Sequence, residues 1–267
     1  MKLWRELITI TLLFGLIWLI FTWKTPGLPD TSFEIGEERE KELAELIMKD
    51  LKRDYTFYDD SVTEALILPI ANRLLDSLNP KSYEYKFHVI ESSQINAFAT
   101  IDGHIFIFSG LIQFVNHPEE LAGVLSHEIG HHENGDLVDR LVKELGLSVI
   151  MAVLTGGDAV MVSEISKLLI STGFDRKQEK EADEFAHNLL IKSQINPSRI
   201  AHFFTKLKAE NQTYPDELEI IMTHPNSKSR IESALTAPLP DGFEEKEFEL
   251  DWERLVEEYL GYVNIAS

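Results

Sequence analysis

The stretch Ser126-His127-Glu128-Ile129-Gly130-His131-His132 decides how this chain is read. It carries the pattern H-E-x-x-H in His127, Glu128 and His131. Residues four apart on an α-helix share a face, so both imidazoles can reach one metal ion. Glu128, beside the first histidine, then stands where it can hold and deprotonate a water molecule. The pattern needs a helix beneath it. Asn116-His117-Pro118-Glu119-Glu120 supplies a helix start, with a polar cap, Pro at the first helical position and acids in the first turn. Leu121, Val124 and Leu125 follow at helical spacing, and Asn134-Gly135 marks the end. His132 points about 100° away around that helix and is expected not to be a ligand.

Working outward toward the N-terminus, Gly103-His104-Ile105-Phe106-Ile107-Phe108 and Asn96-Ala97-Phe98-Ala99-Thr100 predict two strands joined by the turn Ile101-Asp102-Gly103. Tyr85, Phe87 and Val89 alternate with polar residues, which predicts a further half-buried strand. His88 and His104 fall in these strands and are read as structural or surface histidines. A helix is expected from Ser61 to about Leu78, with Ser61 and Glu64 as a capping box and Asn79-Pro80 as its stop. Another covers 36–53, with Leu43, Leu46, Ile47 and Leu51 on one face.

From Leu7 to Trp23 no charged residue appears, a length at the short end of a membrane-spanning helix. Trp4, Trp18 and Trp23 suit interfacial anchoring, and Lys2 and Arg5 place positive charge on the N-terminal side. No small-x-small cleavage site follows, so a retained single-pass anchor over 1–24 is expected in preference to a cleaved signal peptide. The positive-inside rule leaves the N-terminus in the cytoplasm and the bulk of the chain outside; an intracellular enzyme of opposite topology is the alternative. Residues 25–35 read as a linker and 36–237 as the main domain. Residues 238–267 read as an acidic tail with a terminal helix, in which Leu255, Val256, Tyr259 and Leu260 keep helical spacing.

The 267 residues suffice to bury a sizeable core. Cysteine is absent, so any metal must be held by histidine and carboxylates. With 25 Lys and Arg against 45 Asp and Glu, the formal charge is −20, which argues against nucleic acid as a partner. Toward the C-terminus, 145–162 is apolar but broken at Gly156-Gly157-Asp158, too short to span a bilayer. It reads as a core helix or an apolar segment near a membrane surface. Beyond it, Asp175 through Asp183 continues helically into Phe185, Ala186, Leu189 and Leu190. A carboxylate turned inward from this helix can complete a His-His-Glu site, and Asp183 can accept a hydrogen bond from a ligand imidazole. Spacing alone leaves Glu179 and Glu181 both open as that carboxylate.

Four blocks carry a resemblance. They are Asn96-Ala97-Phe98-Ala99 with Gly103-His104-Ile105-Phe106, then Leu121 through His131, then Glu179-Lys180-Glu181-Ala182-Asp183, and Thr223-His224-Pro225-Asn226-Ser227-Lys228-Ser229-Arg230-Ile231. In order and spacing they resemble the HtpX/BepA family of gluzincin zinc metallopeptidases, over roughly residues 33–235. The resemblance implies one Zn²⁺ per chain held by His127, His131 and Glu179, with Glu128 catalytic and Asp183 behind a ligand. It implies that Asn96, Ala97, Phe98 and Ala99 form an edge strand to which extended substrate adds. It gives His224 a place near the metal, stabilising the oxyanion or covering the zinc, and gives Arg230 a supporting role. Members of the family often carry Arg-His after the metal-binding helix, where this chain has Gly135-Asp136; a role for that histidine is thereby put in doubt.

The expected fold is α+β: a mainly helical metallopeptidase domain with a small antiparallel sheet, preceded by one transmembrane helix. The expected function is endoproteolysis of protein or peptide substrates in quality control or processing of membrane and envelope proteins, with envelope proteins as candidate partners. Two rivals are a chaperone-like factor that cleaves little and a domain in which zinc is only structural.

Overall fold

The computed structural model describes residues 36–157, 159–171, 173–210, 224, 234–236 and 238–261. The expected anchor over 1–24 and most of the Thr223–Ile231 block, Arg230 included, lie outside the described residues. No helix among the described residues is long and apolar enough to cross a membrane.

Helix α1 (Glu37–Asp54) opens with Glu37, Glu38 and Glu40 and closes with Lys52 and Arg53, charges that oppose the helix dipole at each end. Its apolar face, Leu43, Ala44, Ile47 and Leu51, is buried. The next helical run does not use the expected capping box. It begins one residue earlier, at Asp60, and neither Asp59 nor Val62 makes a side-chain cap bond. A π-helical turn, Thr63–Ile67, then leads into α2 (Leu68–Asp76). Pro69 accounts for the wide turn, because proline has no N–H for an ordinary i→i−4 bond and its ring crowds the preceding turn.

The sheet contains β1 (Lys86–Ile90), β2 (Ala97–Ala99) and β3 (His104–Phe108) in the order β1-β3-β2. It is mixed rather than wholly antiparallel. β2 pairs with β3 antiparallel, whereas β1 pairs with β3 parallel, with Phe87 opposite Ile105 and Val89 opposite Ile107. The chain runs up β1, down β2 and up β3. Because β2 takes the far edge instead of the middle, β1 and β3 become neighbours pointing the same way. The β2–β3 turn holds Asp102 at φ 58° and Gly103 at φ 74°. A Cβ on Gly103 would lie 2.6 Å from the Glu84 carbonyl oxygen, so that position needs glycine on steric as well as torsional grounds.

Helices α3 (Ser109–Phe114), α4 (Pro118–Glu133), α5 (Asp136–Leu145), α6 (Leu147–Leu154), α7 (Ala159–Ser171), α8 (Arg176–Lys192) and α9 (Ser198–Glu210) follow. The α4 helix carries H-E-x-x-H as predicted, begins at Pro118, and is buried along nearly its whole length. Its N-cap is His117 rather than Asn116, and Glu120 reaches back to accept from the Asn116 N–H at 2.9 Å. The apolar stretch around 150 forms α6 and the start of α7. Ile150 and Val153 are buried in the core while Leu147 and Val160 are exposed. The acidic tail packs on the domain through α10 (Trp252–Leu260), whose Trp252 indole donates to the Val115 carbonyl at 3.2 Å.

Candidate metal centre

The site is assembled where α4 and α8 cross. A Cβ on Gly130 would lie 3.1 Å from the Ala182 carbonyl oxygen and 3.2 Å from its Cα, so glycine lets the two backbones approach closely. That crossing puts Glu179 and Asp183, on either side of Ala182, against the two histidines of α4. The start of α8 is fixed by a full capping box. Asp175 accepts from the N–H groups of Lys177 at 2.9 Å and Gln178 at 3.1 Å, and the Gln178 side chain accepts from the Asp175 N–H at 3.1 Å. Glu179 therefore sits in the first turn at a set rotation, and it is buried. Structure thus separates two carboxylates that spacing left open, since Glu181 is exposed and paired with Lys177.

Four side chains converge: His127, His131, Glu179 and His224, all buried, with one ligand atom from each within 4.8 Å of the others. His127 Nε2 lies 3.1 Å from His131 Nε2 and 3.2 Å from His224 Nδ1. The Glu179 oxygens lie 3.6 Å from the first two of these nitrogens and 2.9 Å from the third. Zinc bonded at about 2.0–2.1 Å in a tetrahedron separates its ligand atoms by roughly 3.3–3.5 Å. The observed spacings bracket that edge length, so the donor set fits such an ion.

The outer nitrogens explain why the inner ones face one another. Asp183 Oδ1 lies 3.0 Å from His127 Nδ1, and Asp136 Oδ2 lies 2.7 Å from His131 Nδ1. Each carboxylate accepts a hydrogen bond from Nδ1–H, which keeps the proton on Nδ1 and leaves the Nε2 lone pair directed into the cluster. Two lone pairs at 3.1 Å need a cation or a shared proton between them. Burial opposes charge on His131, but Asp136 and Glu179 outweigh it and raise its pKa; proton and metal compete for the same nitrogen. Burial works against charge on Glu179 as well, yet His224, His131 and His127 hold its carboxyl well below the usual range.

Glu128 stands beside the cluster without belonging to it. Its Oε2 accepts from the Ala99 N–H at 3.0 Å. Its Oε1 is buried without a hydrogen bond, 3.5 Å from His224 Nε2. Burial pushes this carboxyl up, against the opposing pull of His224 and His131. A carboxylate with a raised pKa and one uncommitted oxygen suits a group that must accept and return a proton.

Comparison with known proteins gives a match to the family model described as Peptidase family M48 over residues 62–237. That is more than half of the chain. The chain belongs to peptidase family M48. Among individual M48-like relatives, a beta-barrel assembly-enhancing protease of Yersinia pestis is 24% identical over 224 residues, covering 78% of this chain and 46% of that protein. Metalloprotease LoiP of Escherichia coli is 30% identical over 145 residues, 52% of this chain and 56% of the relative. The mitochondrial metalloendopeptidase OMA1 of Schizosaccharomyces pombe is 23% identical over 205 residues, 74% of this chain and 60% of the relative. This chain therefore spans about half the length of the curated relatives it matches.

Within this M48 domain, Asn96, Ala97, Phe98 and Ala99 lie at the sheet edge next to Glu128. Asn96 is buried with neither side-chain polar atom hydrogen-bonded. The His132 imidazole leaves the cluster and packs against Tyr83 and Tyr85, where burial lowers its pKa to about 3. His88 and His104 pair with each other at 2.9 Å. Two residues at the site were not legible beforehand. In the sequence Asp136 stands out only as a departure from the usual Arg-His, yet it holds His131. The αL turn at Gly135, φ 74°, brings it back under the helix it follows. Phe174 stacks on His131, and its signal was its place just ahead of the Asp175 cap.

Proposed function

We propose that this chain is a zinc-dependent metalloendopeptidase, with His127, His131 and Glu179 as its metal ligands and one ion per chain. The observation that carries the reading is the pairing of a four-donor cluster with a buried carboxylate, Glu128, whose Oε1 has no hydrogen bond. A purely structural zinc site has no use for that carboxylate, because leaving a buried charge half-satisfied costs stability. When bound, the metal supplies Lewis acidity to the scissile carbonyl and to water. Glu128 takes the proton from water and delivers it to the leaving amine. Asp183 and Asp136 keep the two imidazoles in the tautomer that ligates.

The edge strand offers a place for substrate. The Thr100 N–H bonds to the His104 carbonyl and the Phe108 N–H to the Asn96 carbonyl, so even-numbered residues of this strand face β3. Odd-numbered residues face outward. The Ala97 N–H and C=O and the Ala99 C=O are therefore directed away from the sheet, while the Ala99 N–H steadies Glu128. An extended peptide pairing there lies beside the general base. His224 stands among the donor atoms; it would either cover a bound ion or donate to the oxyanion that develops on the scissile carbonyl.

The same reading extends to processing or quality control of membrane and envelope proteins, with the apolar 1–24 segment as anchor and the domain outside. The test uses purified protein: zinc content by metal analysis, and casein cleavage with and without chelator. One zinc per chain and chelator-sensitive cleavage abolished by Glu128→Gln are expected. No bound metal, or full biological activity in Glu128→Gln, sinks the peptidase reading and favours a chaperone-like role.

A further inference from the structure

Phe174 precedes the N-cap of α8 by one residue. In a common arrangement the side chain at that place packs against the fourth residue of the helix, a hydrophobic staple. Here the fourth residue is Glu179, which points into the cluster. Phe174 packs on a ligand imidazole instead. Its ring lies 3.7 Å from the His131 ring, centroid to centroid, with only 15° between the planes. It also stands 5.9 Å from the His224 ring.

The Arg140 guanidinium lies over the same Phe174 ring at 4.5 Å. A ring has two faces, and one is covered by His131 at 3.7 Å, so the guanidinium takes the other. Arg140 is buried and donates from Nη2 to the Leu168 carbonyl at 2.7 Å. That bond ties α5 to the last turn of α7, immediately before the segment that carries Phe174. The stack therefore runs from a ligand of α4, through the entry to α8, to a buried cation on α5. Both helices that supply metal ligands meet in it.

We propose that Phe174 and Arg140 are positioning residues of the metal centre: Phe174 sets the plane of the His131 ring, and Arg140 holds Phe174 against it. The inference rests on the metal reading above and adds a device to it. The Asp136 hydrogen bond fixes which nitrogen of His131 carries the proton and holds one edge of the ring, but one bond still leaves the ring some freedom to rock about the Cβ–Cγ axis. The flat contact with Phe174 removes that freedom. It also keeps water from that flank of the site. Arg140 suits its task because a planar guanidinium can stack on an aromatic face and donate in its own plane to a carbonyl, which a lysine ammonium cannot do.

The experiment compares wild type with Phe174→Leu, Phe174→Tyr and Arg140→Lys, each as the full chain. The readouts are zinc affinity by chelator competition, the visible absorption spectrum of the cobalt(II)-substituted protein, and the melting temperature of the metal-free form. Phe174→Leu is expected to lose about 10-fold or more in zinc affinity, the range seen when partners behind a ligand are removed, and to alter the cobalt bands. Phe174→Tyr restores both, and Arg140→Lys shows a smaller loss of the same kind. Should Phe174→Leu not fold, the Arg140→Lys spectrum and affinity decide the matter. A lower metal-free melting temperature with wild-type affinity and cobalt spectrum overturns the proposal, because the stack is then structural only. Wild type that binds neither ion overturns the metal reading itself and this inference with it.

Discussion

Asp136 Oδ2 sits 2.7 Å from His131 Nδ1, at the opposite edge of the ring from the nitrogen that faces His127. The two residues are joined across the end of α4 by a left-handed glycine, so the orienting carboxylate comes from the start of the next helix. Asp136 and His131 are both buried. Asp136→Ala is expected to weaken zinc binding by about 10–100-fold, because the imidazole loses both its tautomer and its orientation. Asp136→Asn is expected to lose less, since an amide oxygen still accepts from Nδ1. Chelator competition at one fixed pH measures both. Equal affinity in the alanine variant and wild type would show that the bond is incidental.

The edge strand makes a second claim open to measurement. Ala97 directs its N–H outward, and replacing it with proline removes that donor without touching a bond to β3. Ala97→Pro is expected to lower kcat/KM on an extended peptide by about tenfold, the worth of one backbone hydrogen bond, with zinc content unchanged. Phe98→Pro serves as the contrast: its N–H faces β3, so the loss should fall on folding instead. If Ala97→Pro cleaves as wild type does, substrate does not pair with that position.

Much of this centre could be read in the sequence because its chemistry is local. His127, Glu128 and His131 lie within one helical turn and a bit, and the cap and apolar spacing around them need no tertiary information. Glu179 was different. It shares a short acidic run with Glu181, and only the Asp175–Gln178 cap and the Gly130–Ala182 crossing decide which of them turns inward. The parallel pairing of β1 with β3 was not legible either, because strand order depends on which edge β2 occupies, and no residue pattern states that. Nor was the π-helical turn before α2, where Pro69 overrides a sequence that otherwise carries the marks of a simple capped helix.

The stacked pair His88 and His104 gives the fold a pH dependence whose sign follows from burial. Burial lowers both pKa values from 6.5 to about 4, His88 with added repulsion from His104, and His104 with added repulsion from Lys86. Between these limits the unfolded chain binds protons that the folded chain refuses. Stability is therefore full above about pH 6.5 and is lost as the pH falls toward 4, by up to about 1.4 kcal/mol per pH unit for each histidine. His88→Phe keeps an aromatic ring against Phe106, which His88 stacks at 4.9 Å, and removes one proton from the balance. Urea midpoints taken at pH 6.5, 5.5 and 4.5 should fall less steeply for this variant. An unchanged slope would mean that His88 is charged in the folded protein at the lower pH.

The tail that follows the helices of the candidate metal centre is held by Arg73 on α2. Its Nε donates to the Ser193 carbonyl at 2.8 Å and its Nη2 to the Gln194 carbonyl at 2.9 Å, while Nη2 also reaches the Lys246 carbonyl. Its guanidinium covers the Phe248 ring at 4.6 Å, and the Phe248 N–H donates to Glu119 at 3.1 Å, near the start of α4. One side chain thus gathers the end of α8, the tail and the helix that bears H-E-x-x-H. Arg73→Ala is expected to cost about 1–3 kcal/mol, because three carbonyls lose a charged donor and a ring loses its cover, partly offset by water at the exposed edge. Arg73→Lys should recover only part of this, since an ammonium cannot serve three carbonyls in one plane while stacking. Removing residues 238–267 strips away Trp252 and Leu260 as well and should lower the melting temperature further than Arg73→Ala does. A truncated chain that melts with the full one would mean that the tail lies on the domain without supporting it.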